Sequence, residues 1–206
     1  MFETIFKTEL TAIRTEDILI DKLWLEIASN YSKRNRHYHN LHHLDNLADE
    51  LVKISTKLND WPTIIFSIAY HDIVYNILKQ YNEEKSADFA IKRLKLLKIP
   101  EDKITVCKEQ ILATKGHNIS VDDDTNYFID ADLAILGSEY EIYRVYIQQI
   151  RKEYKFYPDL LYNPGRKKVL NHFLQMDAIY KTHYFTSKYE QQARKNIEYE
   201  LKELER

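Results

Sequence analysis

The chain holds three glycines and four prolines in 206 residues, and that scarcity constrains its fold more than any other feature. Short strands need frequent tight reversals, which glycine and proline supply, so a chain with so few of either is expected to be dominated by helices. Periodicity agrees. Leu19, Leu23 and Ile27 line one side of a helix expected over about 15 to 31, and Leu44, Leu47, Leu51, Ile54 and Leu58 mark a second over about 40 to 57. Ile64, Ile65, Phe66, Ile68 and Ala69 are too uniformly apolar for a surface helix. With Pro62 in its first turn, the segment over about 62 to 72 is expected to be the central buried helix, running straight into His71-Asp72.

Beyond it the pattern predicts a loop over about 74 to 83, a helix carrying Ala87, Ala90, Leu94 and Leu97 that stops before Pro100, and another over about 101 to 114. A polar loop over about 115 to 125 and a short helix over about 126 to 136, ended by Gly137, follow. Further helices are expected over about 138 to 156, 166 to 175 and 183 to 205, with Asn163-Pro164-Gly165 as a turn. Tyr189, Ala193, Ile197 and Leu201 repeat every four residues and give the last helix a packing stripe. The expectation is one all-α domain, a helical bundle over 1–206.

Lysine and arginine number 30 against 32 aspartate and glutamate, so no overall positive field draws the chain to nucleic acid. No apolar stretch approaches the length of a membrane span. The single cysteine, Cys107, sits among Ile104, Val106 and Ile111 and reads as a buried structural thiol. These features favour a cytoplasmic protein. Asp122-Asp123-Asp124 lacks the donor spacing and glycine of a calcium loop and reads as solvated surface. Sixteen tyrosines permit a homo-oligomeric interface without locating one.

The chemistry concentrates in Arg36-His37-Tyr38-His39-Asn40-Leu41-His42-His43. His39 and His43 are four apart and share a face if both lie in the first turn of a helix, an arrangement that also suits a hydrogen-bonded pair. His71-Asp72 strengthens the metal reading, because the end of an apolar helix does not readily bury a carboxylate without a cation or several donors. Asp130 and Asp132 form a third cluster. Two residues apart on a helix they diverge by roughly 200°, so one is expected in the site while the other caps or supports a neighbour. Histidine nitrogen with carboxylate oxygen suits a catalytic divalent ion, whereas four cysteines would suggest a closed structural site.

Taken together, Tyr38-His39-Asn40 through His43, Ala69-Tyr70-His71-Asp72-Ile73-Val74-Tyr75 and Asp130 through Gly137 resemble the HD metal-dependent phosphohydrolase superfamily, in a bacterial single-domain branch. Asn82 through Ala87, Arg151 through Tyr154, Gly165-Arg166 and Ala193 through Asn196 extend the likeness over nearly all the chain. The resemblance implies an HD-domain helical bundle with one central metal site and His43, His71, Asp72 and Asp132 as ligands. It further implies hydrolysis of a small phosphorylated metabolite, nucleotide-like by modest preference, through metal-activated water. The metal would be one divalent transition ion, Mn, Co, Ni, Fe or Zn, with Mg as a further option.

His39 matches the histidine that protonates the leaving oxygen in cyclic-nucleotide phosphodiesterases, and Asp72 is the second catalytic candidate. His117 is the one histidine between the HD pair and Asp132 that could serve a second metal or a phosphate. Glu83, Arg151, Glu153, Arg166 and Arg194, with Asp130, are candidates for the substrate pocket or for supporting the ligands. Each arginine could equally close a helix-to-helix ion pair. Two other functions fit these residues: a non-catalytic metal- and metabolite-binding sensor, and a metal-dependent oxygenase, against which the small number of histidines argues.

Overall fold

A computed structural model describes residues 1–205, which form ten α-helices and two short 3-10 turns with no strand among them. None of the described helices is long and apolar enough to cross a membrane. The chain divides into two compact units, Met1–Ile129 and the segment from Asp130 onward.

The first unit carries α1 (Phe2–Ala12), α2 (Asp17–Tyr31), α3 (Leu41–Val52), α4 (Trp61–Tyr70), α5 (Asn82–Leu96), α6 (Glu101–Ala113) and the larger part of α7 (Asp123–Asp132). Every residue of α4 from Thr63 to Tyr70 is buried, and α1, α3, α5 and α6 all pack on it. This is the central helix its composition predicts. Phe2 and Phe6 of α1 close around Trp24 of α2, and Phe6 meets Phe66 edge-on at 6.5 Å. Each such side chain contributes about 1.5–3 kcal/mol on burial. α1 lies in a segment where no helix is expected from the sequence, although Phe2, Phe6 and Leu10 recur every four residues and are all buried. Cys107 is buried on α6, as expected, and burial pushes its thiol up to about 12.

The acidic run is not the solvated loop expected of it. Asp122 caps α7, accepting from the backbone N–H and hydroxyl of Thr125. Asp124 is 2% exposed and accepts the backbone N–H groups of Asn59 and Asp60 at 2.9 and 2.7 Å. Its carboxylate satisfies orphan amides at the entrance to α4, where Asp60 in turn caps Thr63.

The second unit contains the end of α7, a 3-10 turn at Ala134–Gly137, α8 (Tyr140–Glu153), α9 (Asp159–Gln175) and α10 (His183–Glu203). Gly137 is required where it stands, since a Cβ there would fall 2.5 Å from Tyr189 Cβ on α10. Asn196 fastens the same turn, donating to the Leu136 and Ser138 carbonyls at 2.9 and 2.8 Å. The Asn163-Pro164-Gly165 turn does not form. α9 begins at Asp159 and runs through Pro164 without interruption. Proline there forfeits one bond, to the carbonyl of Leu160, a residue 84% exposed in the first turn of the helix.

Candidate metal centre

The site begins at the entrance to α3. Asn40 caps that helix, its Oδ1 accepting the His42 N–H at 2.8 Å while its Nδ2 donates to the His37 carbonyl. His43, in the first turn, is 4% exposed. His39 lies ahead of the cap rather than in the helix, so the pair converges through the turn and not through helical register. The two rings are 5.8 Å apart, and His39 stacks on Tyr75 at 4.3 Å.

His71 follows the last turn of α4 and is 1% exposed. Its Nδ1 lies 3.0 Å from the Ile68 carbonyl, which can only accept, so that nitrogen carries a proton and Nε2 of the neutral ring presents a lone pair. The lone pair faces Nε2 of His43 at 3.1 Å. Asp72 is anchored through its backbone N–H, which donates to the Tyr31 hydroxyl at 3.1 Å. Its Oδ2 stands 3.4 Å from His71 Nε2 and 3.9 Å from His39 Nε2.

The third ligand direction comes from α7. Phe128 of this helix meets the His71 ring edge-on at 5.9 Å, and Asp132 is its final residue. One ligand atom each from His43, His71 and Asp132 lies within 4.8 Å of the other two. A metal ion could be held by this group. Two imidazole nitrogens and a carboxylate oxygen are donors that divalent transition metals accept. The proton on His71 Nδ1 is the usual support for a ligating histidine.

Asp130 is fully buried and turns away from this group. It accepts from the backbone N–H groups of Lys181 and Thr182 and from the Thr182 hydroxyl, all at 2.7 Å, at the start of α10. Burial raises its pKa against the pull of those donors.

His117 follows the turn after α6 with a φ of 49°, its N–H bonded to the Ala113 carbonyl at 2.9 Å. Glu83 stands in the first turn of α5, and Glu153 is buried at the end of α8. Arg151 bonds Asp159 and the carbonyls of Tyr154 and Tyr157, while Arg166 grips Glu200 through Nε and Nη2 at 2.6 and 3.0 Å. Arg194 holds Glu190 and the Leu174 and Met176 carbonyls. The guanidinium donors of all three thus bond to protein.

Tyr31, Tyr75 and Arg36 have no role among the residues expected at the site from the sequence. Tyr75 and Arg36 lie inside the motif segments, where residue type alone hides what they touch. Tyr31 carries no local signal. Comparison with protein-family models, with curated proteins and with solved structures gives no match for this chain.

Proposed function

We propose that this protein is a divalent-metal-dependent hydrolase of a small phosphate ester, in keeping with the HD-superfamily resemblance of its motifs. The reading rests on one observation: His43 Nε2 and His71 Nε2 stand 3.1 Å apart, in a group completed by Asp132. His43, His71 and Asp132 would hold the ion, with Asp72 beside them. When bound, the metal would draw charge from a phosphoryl oxygen and lower the pKa of water.

His39 is the candidate donor of a proton from Nε2 to the leaving oxygen. Its side chain is 20% exposed, open enough to meet a substrate, and the Tyr75 ring restrains its plane. Asp72 Oδ2 stands 3.9 Å from that nitrogen, beyond a hydrogen bond, so the Nε2 proton is not committed to it. The fixed dipoles and charges around the leaving oxygen, preorganised by folding, would supply most of the acceleration.

The test is product-resolved mass spectrometry on a panel of phosphomonoesters and phosphodiesters, with metal-free protein reconstituted separately with Mn, Co, Ni, Fe, Zn or Mg. Turnover is expected only after reconstitution, and His39→Gln is expected to lower kcat by about 10²–10⁴-fold with metal still bound. Absence of turnover in folded, metal-loaded protein across the panel would count against the enzyme and favour a metabolite sensor.

A further inference from the structure

Arg36 sits in the turn between α2 and α3 and is 6% exposed. A buried guanidinium is costly unless its donors are matched. Here Nη1 donates to the His39 carbonyl and Nη2 to the Ile73 carbonyl, each at 3.0 Å, the second across 37 residues of sequence. The guanidinium carbon also lies 4.7 Å from the Tyr31 ring centre and 5.4 Å from that of Tyr75. Nε has no partner among the described residues, so the fold tolerates an unmet donor while the fork stays aimed at two separate segments.

Each of these contacts leads to His39 or Asp72. His39 is held by its own carbonyl and by Tyr75, on which its ring stacks. Asp72 is held by the carbonyl of the next residue and by Tyr31, whose hydroxyl takes its backbone N–H. We infer that Arg36 is a positioning residue that locks the proton-donor turn and the His71-Asp72 turn into one mutual arrangement. The inference rests on the function proposed above for its catalytic meaning, but the clamp itself is a property of the metal-free chain. Lysine cannot replace it. An ammonium on a flexible stem lacks the planar fork that reaches both carbonyls while lying against two rings.

The experiment compares metal-free wild type, Arg36→Lys and Arg36→Ala by hydrogen exchange with mass spectrometry, then titrates each with cobalt(II) while following the visible spectrum. In both variants residues 37–43 and 71–75 are expected to exchange faster together while α5 and α6 keep their protection. Cobalt(II) affinity is expected to fall about 10–100-fold, as for other residues that support ligands from behind. Added guanidinium ion is expected to restore both properties to Arg36→Ala. Unchanged exchange in the two segments would overturn the inference, as would Arg36→Lys behaving like wild type. Protection lost throughout Met1–Ile129 in both variants would make Arg36 an ordinary core residue and overturn it as well. Failure of wild type to take up cobalt(II) would instead sink the proposed function, while the exchange comparison would still decide the clamp.

Discussion

His43 Nε2 and His71 Nε2 face each other at 3.1 Å although 28 residues separate them in the chain. The Ile68 carbonyl holds the proton of His71 on Nδ1, so in the metal-free neutral pair His43 is the donor across that gap. For His43 and His71 to hold an ion, the His43 proton would have to leave Nε2, for Nδ1 or for water, and binding would then be measurable as stability. Free metal at about 100 times its Kd is expected to raise the unfolding free energy by about 2.7 kcal/mol. His43→Gln, His71→Gln and Asp132→Asn should each abolish that gain, and His43→Gln should cost only about 0.5–1.5 kcal/mol in the metal-free protein. Urea unfolding with and without metal separates the two effects. A gain surviving in all three variants would place the ion elsewhere.

Asp124 shows a carboxylate serving a helix it does not belong to. It accepts the backbone N–H groups of Asn59 and Asp60, 65 and 64 residues away, with its side chain buried. Asp124→Ala strands both amides and is expected to cost about 1.5–3 kcal/mol, the range for hydrogen bonds to a charged group. Asp124→Asn keeps one acceptor oxygen and should lose less. Denaturant midpoints of the two variants give the order directly, and equal losses would contradict the capping account.

These cases show what the sequence makes legible. α4 was readable because a helix apolar on every side has only a buried place to go, and His71-Asp72 was readable because it ends that helix. The acidic run misled because composition assigns it to water, whereas the unmet amides of Asn59 and Asp60 pull one member inside. The placing of His39 outside α3 depends on the Asn40 cap, and its ring plane on Tyr75, neither visible as helical spacing. The Arg36 clamp needs the Ile73 carbonyl, a contact made only once α4 has packed. Pro164 misled for a simpler reason: a helix can carry proline where the orphaned carbonyl belongs to an exposed residue.

Gly137 separates packing from conformation. An added methyl would stand 2.5 Å from Tyr189 Cβ and 2.7 Å from the Tyr189 carbonyl oxygen, and backbone cannot yield as a flexible side-chain tip can. Gly137→Ala is therefore expected to destabilise by about 1–3 kcal/mol, through overpacking. The Asn196 bonds to Leu136 and Ser138 should loosen with it. Thermal unfolding tests the magnitude, and a neutral substitution would mean that α10 moves away from the turn at little cost.

Asp60 gives the fold an acid-side dependence whose sign can be worked out. Burial opposes its charge, but hydrogen bonds from Lys103 and Thr63 prevail and hold its carboxyl below the ordinary range. A folded pKa below the unfolded value of about 3.9 contributes stability that is present above that value and is lost as pH falls through the lower folded one. Asp60→Asn keeps a capping oxygen yet removes the charge, so its stability should fall less steeply than wild type below about pH 4. Asp60→Ala removes the cap too and should cost about 0.5–2 kcal/mol near neutral pH. Urea unfolding of the three proteins from neutral pH into that window provides the comparison. If Asp60→Asn and wild type keep the same slope, the acid sensitivity belongs to other carboxylates and the Lys103 pair adds nothing to the fold.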